Sequence, residues 1–266
     1  MTSTDAAFSG SIPAIYDRYL ADLLFNDYAA DIARRTAALR PQRILETAAG
    51  TGLATAKIVE QLPDASLVAT DLNQAMIDVA AKRVTSPNVQ FQAADAQSLP
   101  FEDESFDAVV MQYGMMFLPD RAAGYSEARR VLKPGGHFIF NVWDRLDKSP
   151  VGQTVHDAVA ALFPDDPPSF FTRVPWGYHD TQRVEQDVRA AGFSEVEIET
   201  VAATSRADSP TDAAIGLCQG TPLRPEIEAR GDLQQATDAA AEALTQRFGS
   251  GPIAQPLSAH VVTATK

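Results

Sequence analysis

Hydrophobic and polar positions change their spacing along the chain. In residues 12–39 apolar side chains recur at intervals of three and four, which predicts helices, and Asn26-Asp27 predicts a break between two of them. From Arg43 to Asp144, short apolar runs alternate with stretches long enough for helices. This alternation is typical of parallel strands joined by helical crossovers.

The short apolar runs predict the strands of one sheet. They are residues 44–45, 66–70, 89–92, 106–111, 137–142, 196–201 and 257–265. Helices are predicted at 51–62, 73–84, 120–132 and 181–191. Lys133-Pro134-Gly135-Gly136 is expected to end the third of these helices and to form the turn into the fifth strand, because proline cannot continue a helix. The fold class is therefore α/β, a Rossmann-like doubly wound sheet of seven mostly parallel strands.

Three segments interrupt or extend the strand and helix alternation. We interpret residues 1–266 as one domain, with a cofactor-binding core at 41–144 and an N-terminal helical lid at 1–40. The other additions are two cap inserts, at 145–180 and 208–256. All three are expected over the C-terminal ends of the strands, where open α/β sheets bind ligands.

Composition and charge narrow the classes of partner. The chain is 45% hydrophobic and 21% charged, with a net charge of −13, which opposes binding to nucleic acid or to an anionic membrane surface. The sequence has no apolar stretch long enough to span a bilayer, and residues 1–8 do not resemble a signal peptide. Cys218 is the only cysteine, so an intrachain disulfide is excluded. These features predict a soluble cytoplasmic protein.

The most informative segment runs from Arg43 to Thr55. Gly50 and Gly52 follow the first strand and open a helix, so the backbone can approach a ligand and exposed N–H groups favour an anion. Asp71 ends the next strand, about 20 residues beyond this turn, where a carboxylate can accept hydrogen bonds from both hydroxyls of a ribose. Each feature alone occurs in many nucleotide-binding α/β proteins.

Four motifs follow one another in register. They are Leu-Glu-Thr-Ala-Ala-Gly-Thr-Gly at 45–52, Ala-Thr-Asp-Leu at 69–72, Ala-Asp-Ala at 94–96 with Leu-Pro-Phe and Ser-Phe-Asp after it, and Val-Leu-Lys-Pro-Gly-Gly at 131–136. Together they resemble the class I S-adenosylmethionine-dependent methyltransferases, particularly the branch of the ubiquinone/menaquinone biosynthesis methyltransferases. The resemblance covers residues 41 to 144 and implies methyl transfer to a small-molecule acceptor, with S-adenosylhomocysteine as product and no metal.

The resemblance also implies roles for individual residues. Around the methionine part of the cofactor it places Glu46, Thr47, Ala48 and Gly50, with Gln112 near the amine. Asp71 would hold the ribose, and the adenine would contact Leu72, Met76, Asp95 and Ala96. Tyr16, in the N-terminal helix, is expected to close over the cofactor.

The chain departs from the family pattern at one position of the glycine turn. Family members usually have glycine where this chain has Ala48, and often cysteine or serine where it has Ala49. The additional methyl group of Ala48 could crowd the cofactor, although we expect it to be tolerated.

No residue stands out as a general base. His179, His156 and Tyr113 are the candidates, and a base is needed only if the acceptor must lose a proton. Aromatic residues after the fourth strand and in the first insert predict either an apolar or aromatic acceptor or simply a core under a long loop. They are Phe117, Phe170, Phe171, Trp176 and Tyr178.

Two other functions compete with methyl transfer. A short-chain nicotinamide-dependent oxidoreductase would show Tyr-x-x-x-Lys, and none of the six tyrosines is followed by lysine at that spacing. A protein that binds the cofactor without turnover is the second alternative, supported by Ala48 and by the missing base. A homodimer is also compatible with the sequence.

Overall fold

The computed structural model of the chain describes Gly10 and residues 12–266. Residues 1–8, which are predicted not to form a signal peptide, and the first part of the predicted lid therefore lie outside the described residues. The chain divides into two compact units. One contains the described residues before Tyr28 together with Asp144–Gly177 and Ala202–Ser258, and the other contains Tyr28–Trp143, Tyr178–Val201 and Ala259–Lys266.

A seven-stranded sheet in the order β3-β2-β1-β4-β5-β7-β6 organises the fold. Its strands are β1 (Arg43–Glu46), β2 (Ser66–Asp71), β3 (Val89–Ala93), β4 (Phe106–Gln112), β5 (Leu132–Trp143), β6 (Glu195–Ala207) and β7 (Ile253–Thr265). The first five strands pair in parallel, whereas β7 is antiparallel to β5. The strand order reverses between β1 and β4, so the predicted doubly wound, mostly parallel sheet is confirmed.

Helices in the sheet-bearing unit follow the predicted crossovers closely. They are α3 (Leu53–Gln61), α4 (Gln74–Arg83), α5 (Arg121–Val131) and α8 (Thr181–Ala190). Each lies within one or two residues of its predicted bounds, because turn residues mark both ends of these segments in the sequence.

The predicted N-terminal helical segment consists of three pieces. Helix α1 (Ile12–Tyr19) is followed by a π-helical turn (Ala21–Phe25), and α2 (Asn26–Ala38) begins at the predicted break. Ala29, Ile32 and Ala33 of α2 are completely buried in a core cluster with residues of β1, β4 and β5. The lid is predicted at residues 1–40. Within this range, Tyr28–Ala38 belongs to the sheet-bearing unit, and the role of the segment as a lid stays a prediction.

The turn predicted at Lys133-Pro134-Gly135-Gly136 lies inside β5. Leu132 pairs with Phe106, the register then shifts, and regular pairing resumes between His137 and Ala108. Gly135 has a φ of +75°, a backbone conformation that favours glycine. The segment is therefore an irregularity within the strand and not a separate turn before it.

The other unit is mainly helical. It contains α6 (Pro150–Leu162), α7 (Phe170–Arg173), α9 (Pro210–Gln219), α10 (Leu223–Glu228) and α11 (Leu233–Phe248). Helix α11 packs against α6 and α9 and buries Ala236, Ala240 and Leu244, as its amphipathic pattern predicts. The sequence did not predict α6, α9 or α10. No helix in the part of the chain that the structure describes combines the length and the apolar character needed to cross a bilayer.

Candidate functional site

The turn after β1 brings backbone groups to the point where the strand order reverses. Gly50 and Gly52 have φ values of +56° and +80°, which glycine adopts without strain. A Cβ atom on Gly52 would lie 2.9 Å from the Cβ of Ala80. The turn therefore requires glycine at residue 52 both for its conformation and for the close approach of α4.

Ala48 adopts a φ of +53°, in the region that L-residues other than glycine rarely occupy. Its methyl group lies beside Gly114, since a Cβ built on Gly114 would be 2.7 Å from the Cβ of Ala48. The methyl group that departs from the family pattern thus packs towards the turn after β4. Ala48 occupies a strained but sterically accommodated position.

Asp71, at the end of β2, fixes the glycine turn. One carboxylate oxygen accepts from the N–H of Gly50 at 2.9 Å, and the other accepts from the N–H of Asn73 at 2.8 Å. Burial raises the pKa of Asp71, while the hydrogen bonds from Asn73 and Gly50 act in the opposite direction. A carboxylate has about four lone-pair sites, so these contacts leave acceptor capacity for a ligand.

Glu46, the last residue of β1, is a completely buried carboxyl group. Its Oε2 accepts from the Thr55 hydroxyl at 2.6 Å, while its Oε1 has no hydrogen-bond partner among the described residues. Burial, helped by the nearby charge of Asp71 and opposed by the Thr55 hydrogen bond, raises the pKa of Glu46 to about 8. A buried acid with an unsatisfied oxygen is suited to receive a cationic group from a ligand.

Two more unsatisfied polar atoms lie in the same turn. The hydroxyl oxygens of Thr47 and Thr51 are buried and lack a hydrogen-bond partner within the described part of the chain. Buried polar atoms are normally hydrogen-bonded, but three residues of the motif at 45–52 each have a buried oxygen without a partner among the described residues. The turn after β1 is therefore the best candidate for a polar ligand site.

The predicted adenine-binding residues lie on the two neighbouring strand ends. Leu72 is 59% exposed, which is unusual for a large apolar side chain, whereas Met76 is buried in α4. Asp95 and Ala96 are half-buried after β3, and Asp95 accepts from the N–H of Gln97 at 2.8 Å. An exposed leucine beside a half-buried carboxylate is compatible with a purine, and these roles stay predictions.

Gln112 and Tyr113 follow on β4, next to β1 in the sheet. Gln112 is half-buried, and Tyr113 has a φ of +54°. The Tyr113 ring stacks on Trp143 with centroids 3.8 Å apart and meets the edge of Tyr28 at 5.7 Å. A ring packed in this way is held rigidly, and the role of Tyr113 as a candidate base stays a prediction.

The remaining predicted residues have contacts of their own, and their roles in the site stay predictions. Tyr16 stacks on Phe25 at 4.9 Å, and His156 lies 6.4 Å from the ring of Phe171, both within the helical unit. His179 precedes α8 in the sheet-bearing unit and is half-buried. No cluster of three histidine, cysteine or acidic side chains suited to a metal occurs among the described residues.

The aromatic residues predicted to surround an acceptor pack mostly on one another. Phe170, Phe171 and Trp176 are buried, with the Phe171 and Trp176 centroids 5.1 Å apart. The Tyr178 hydroxyl instead pairs with that of Tyr125 at 3.1 Å. Of the two interpretations given above, this packing supports a core under the loop.

Sequence reasoning missed three residues of the site. Thr55 contacts Glu46, Gly114 accommodates Ala48, and Asn141 accepts the N–H of Tyr113 at 2.9 Å. An asparagine in the middle of the apolar run 137–142 was the one available signal, because strand interiors rarely contain an amide without a specific partner.

Comparison with known families and relatives gives consistent matches. Residues 44–136 match the family model described as a methyltransferase domain. The demethylmenaquinone methyltransferase of Clavibacter sepedonicus is 36% identical over 138 residues, covering 50% of this chain and 56% of that protein. The ubiquinone/menaquinone biosynthesis C-methyltransferase UbiE of Coxiella burnetii is 33% identical over 156 residues, covering 56% of this chain and 62% of that protein. The chain thus spans less than two thirds of either relative.

A solved structure matches over the whole chain. It is phosphoethanolamine N-methyltransferase 2 of Haemonchus contortus, in complex with phosphomonomethylethanolamine and S-adenosylhomocysteine, with a TM-score of 0.63 and 17% identity. The match covers 100% of this chain and 61% of that one, and at this identity it shows the fold alone. Together, the matches confirm the resemblance inferred from the four motifs and the Rossmann-like α/β architecture.

Proposed function

We propose that this chain, whose residues 44–136 match a methyltransferase domain, is a class I methyltransferase that transfers a methyl group from S-adenosylmethionine to a small-molecule acceptor. The observation that carries the proposal is the group of buried, unpartnered oxygens of Glu46, Thr47 and Thr51, beside a turn fixed by Asp71. A nucleoside that carries a zwitterionic amino acid would satisfy both parts of this arrangement.

The residues present fit such a cofactor. The free Oε1 of Glu46 suits an ammonium group, and the hydroxyls of Thr47 and Thr51 can donate to or accept from its amino-acid tail. Asp71 has acceptor capacity left for ribose hydroxyls, and Leu72, Met76, Asp95 and Ala96 would contact the base. Ala48 and Gly50 contribute the backbone of the turn. Tyr16 and Gln112 are retained as further contacts within the proposal.

The bound cofactor supplies an electrophilic methyl group on a sulfonium, with a thioether as leaving group. The chain itself has to align the acceptor and exclude water, which accounts for much of the rate enhancement in such displacements. The rigid stack of Tyr113 on Trp143 fits that role. His179, His156 and Tyr113 stay candidates for a general base, which is needed only if the acceptor must lose a proton.

An apolar or aromatic acceptor is the finer part of the proposal. It draws support from the names of the curated relatives, a demethylmenaquinone methyltransferase and a ubiquinone/menaquinone biosynthesis C-methyltransferase. The N-terminal lid predicted at residues 1–40, a cytoplasmic location and a homodimer are retained as predictions.

Isothermal titration calorimetry of the whole chain tests the cofactor assignment. S-adenosylmethionine and S-adenosylhomocysteine are expected to bind, whereas NAD is not; binding of NAD alone would refute the proposal. A methyl-transfer assay with small ring-bearing acceptors then separates an enzyme from a protein that binds the cofactor without turnover, since the latter would transfer no methyl group to any acceptor.

A further inference from the structure

The side chain of Asn141 has one satisfied end and one unsatisfied end. It is completely buried in β5, and its Oδ1 accepts the backbone N–H of Tyr113 at 2.9 Å. Because a backbone N–H can only donate, this bond fixes which end of the amide is oxygen. The Nδ2 group points elsewhere and has no hydrogen-bond partner among the described residues. A buried donor in this state calls for a partner that is not part of the protein chain.

The sheet register places Asn141 near the unsatisfied acid of β1. Glu46 pairs with Val110, and Val110 pairs with Ile139. Register partners in parallel strands direct their side chains to the same face, and so do residues two apart in one strand. Asn141 therefore lies on the same face of the sheet as Glu46. It is two strands away from Glu46 and two residues further along the strand direction. The strand spacing separates the two backbones by roughly 10 Å across the sheet, and the two-residue offset adds roughly 7 Å along the strands, so the two Cα atoms lie roughly 12 Å apart.

An amino acid in its zwitterionic form matches this pair. One member of the pair offers an unsatisfied acceptor oxygen and the other an unsatisfied N–H donor. Two side chains that extend from backbones at this separation can each form a hydrogen bond with a group that carries an ammonium and a carboxylate on one carbon. The hydroxyls of Thr47 and Thr51, which also lack hydrogen-bond partners among the described residues, lie in the turn that directly follows Glu46.

We propose that the Nδ2 group of Asn141 binds the carboxylate of the cofactor's amino-acid tail, while Glu46 binds its ammonium group. This inference rests on the proposed function and extends the cofactor site to β5. Asn141 also acts as a positioning residue, because its Oδ1 holds Tyr113 in the left-handed turn that leads to Gly114.

The substitution Asn141→Asp separates these two roles. An aspartate keeps an oxygen for the N–H of Tyr113, but it replaces the donor by a second oxygen. Two ligands then report where the donor acts: S-adenosylhomocysteine carries the amino-acid tail, and 5′-methylthioadenosine has the same nucleoside without it. We expect Asn141→Asp to weaken S-adenosylhomocysteine at least tenfold in calorimetry and to leave 5′-methylthioadenosine within about twofold.

A spectroscopic control checks that the fold of the turn is intact. The Tyr113 ring stacks on Trp143, so Trp143 fluorescence, measured in a Trp176→Phe background, should be unchanged by Asn141→Asp and altered by Asn141→Leu. Thr200→Val is a matched change elsewhere in the sheet, at the Thr200 hydroxyl that contacts His260. It should leave the affinities for both ligands unchanged.

Three results would overturn the inference. Unchanged affinity for S-adenosylhomocysteine in Asn141→Asp would mean that the donor serves a buried water or the methyl acceptor. Equal losses for both ligands would show a general disturbance of the site. Loss of the wild-type fluorescence in Asn141→Asp would show that the turn itself had changed. Failure of the wild-type chain to bind S-adenosylhomocysteine at all would instead refute the proposed function.

Discussion

Two buried polar clusters in the sheet-bearing unit differ in how completely they are paired. Between α5 and α8, the hydroxyls of Tyr125 and Tyr178 bond to each other at 3.1 Å, and Tyr178 donates to Asp187 at 2.8 Å. Around the turn after β1, Glu46 and its threonine neighbours keep oxygens without partners in the described structure. Both clusters contain groups with raised pKa values, through burial above all, so the pKa alone does not distinguish them.

The difference lies in what each cluster still requires. A network whose hydroxyls all have partners holds the protein together and needs no ligand. A cluster with buried unsatisfied oxygens costs folding free energy, and a protein retains it where a ligand supplies the missing contacts. On this criterion the tyrosine pair is structural, and the turn after β1 is the site that we propose for the ligand.

The largest expected effect follows from Asp71→Ala. This change removes the acceptor for the N–H groups of Gly50 and Asn73 as well as the proposed ribose contact. We expect S-adenosylhomocysteine affinity to fall by about 100-fold and the free energy of unfolding to fall by about 1–3 kcal/mol. Calorimetry and urea unfolding measure the two effects. Asp78→Ala, an exposed position on α4, is the control; equal affinities of Asp71→Ala and wild type would remove Asp71 from the site.

Tyr178→Phe tests the tyrosine cluster, where we expect a loss of stability without a loss of ligand affinity. Loss of this hydroxyl leaves the buried Tyr125 hydroxyl without its partner, so the free energy of unfolding should fall by about 1–3 kcal/mol. Affinity for S-adenosylhomocysteine should stay within about twofold of wild type, because ligand binding does not use this network. A large loss of affinity with unchanged stability would show that the tyrosine pair belongs to the ligand site.

The raised pKa of Glu46 predicts a dependence on pH. Between its ordinary value of 4.5 and about 8 the folded state holds a proton that the unfolded state has released, so the free energy of unfolding should fall as the pH rises through this window. The ammonium group of the ligand needs the carboxylate, so binding below pH 8 expels that proton. Affinity for S-adenosylhomocysteine should therefore rise with pH, by at most about tenfold per unit, and level off near pH 8.

Glu46→Gln provides the control for both trends. Glutamine keeps the shape of the side chain but cannot titrate. Between pH 4.5 and about 8, the affinity of Glu46→Gln should therefore not depend on pH, and its free energy of unfolding should fall less than that of the wild type. An affinity that falls with rising pH in the wild type would contradict the assigned role of Glu46.

The smallest effect is expected at Ala48. Ala48→Gly relieves the left-handed backbone strain but adds freedom to the unfolded chain, so the free energy of unfolding should change by no more than about 1 kcal/mol. Because the methyl group packs towards Gly114, affinity for S-adenosylhomocysteine should change less than about twofold. A gain of tenfold or more would show that this methyl group does obstruct the cofactor.

Gly114→Ala is the matching change on the opposite turn. Its Cβ would lie 2.7 Å from that of Ala48 and 2.6 Å from the Cγ of Met111. Overpacking of this kind costs about 1–3 kcal/mol, which thermal or urea unfolding would detect. A neutral result would mean that the turns after β1 and β4 adjust independently.

Much of the fold could be predicted because strand periodicity and turn residues are local signals. The first four strands and the crossover helices begin and end close to the predicted residues, and Asp71 ends its strand as expected, whereas β5 begins five residues before its predicted start. Helix α6 was missed because Gly152 and several β-branched residues weaken its helical pattern. In the long interval before β7, α9 and α10 were missed as well, whereas the amphipathic pattern indicated α11.

The site was only partly predictable for a different reason. The resemblance of the four motifs to a known family pointed to Glu46, Thr47 and Gly50, but it carries no information about contacts between distant turns. The packing of Ala48 beside Gly114 and the bond from Tyr113 to Asn141 join residues that are 66 and 28 positions apart. Only the folded sheet brings these pairs together, so their roles depend on the structure.

A crystal structure with S-adenosylhomocysteine tests the central claim most directly. The account predicts that the ribose hydroxyls contact Asp71, and that the ammonium group of the tail pairs with Glu46. A ligand bound elsewhere, or crystals grown at saturating ligand in which Glu46 keeps its unpaired oxygen, would contradict it.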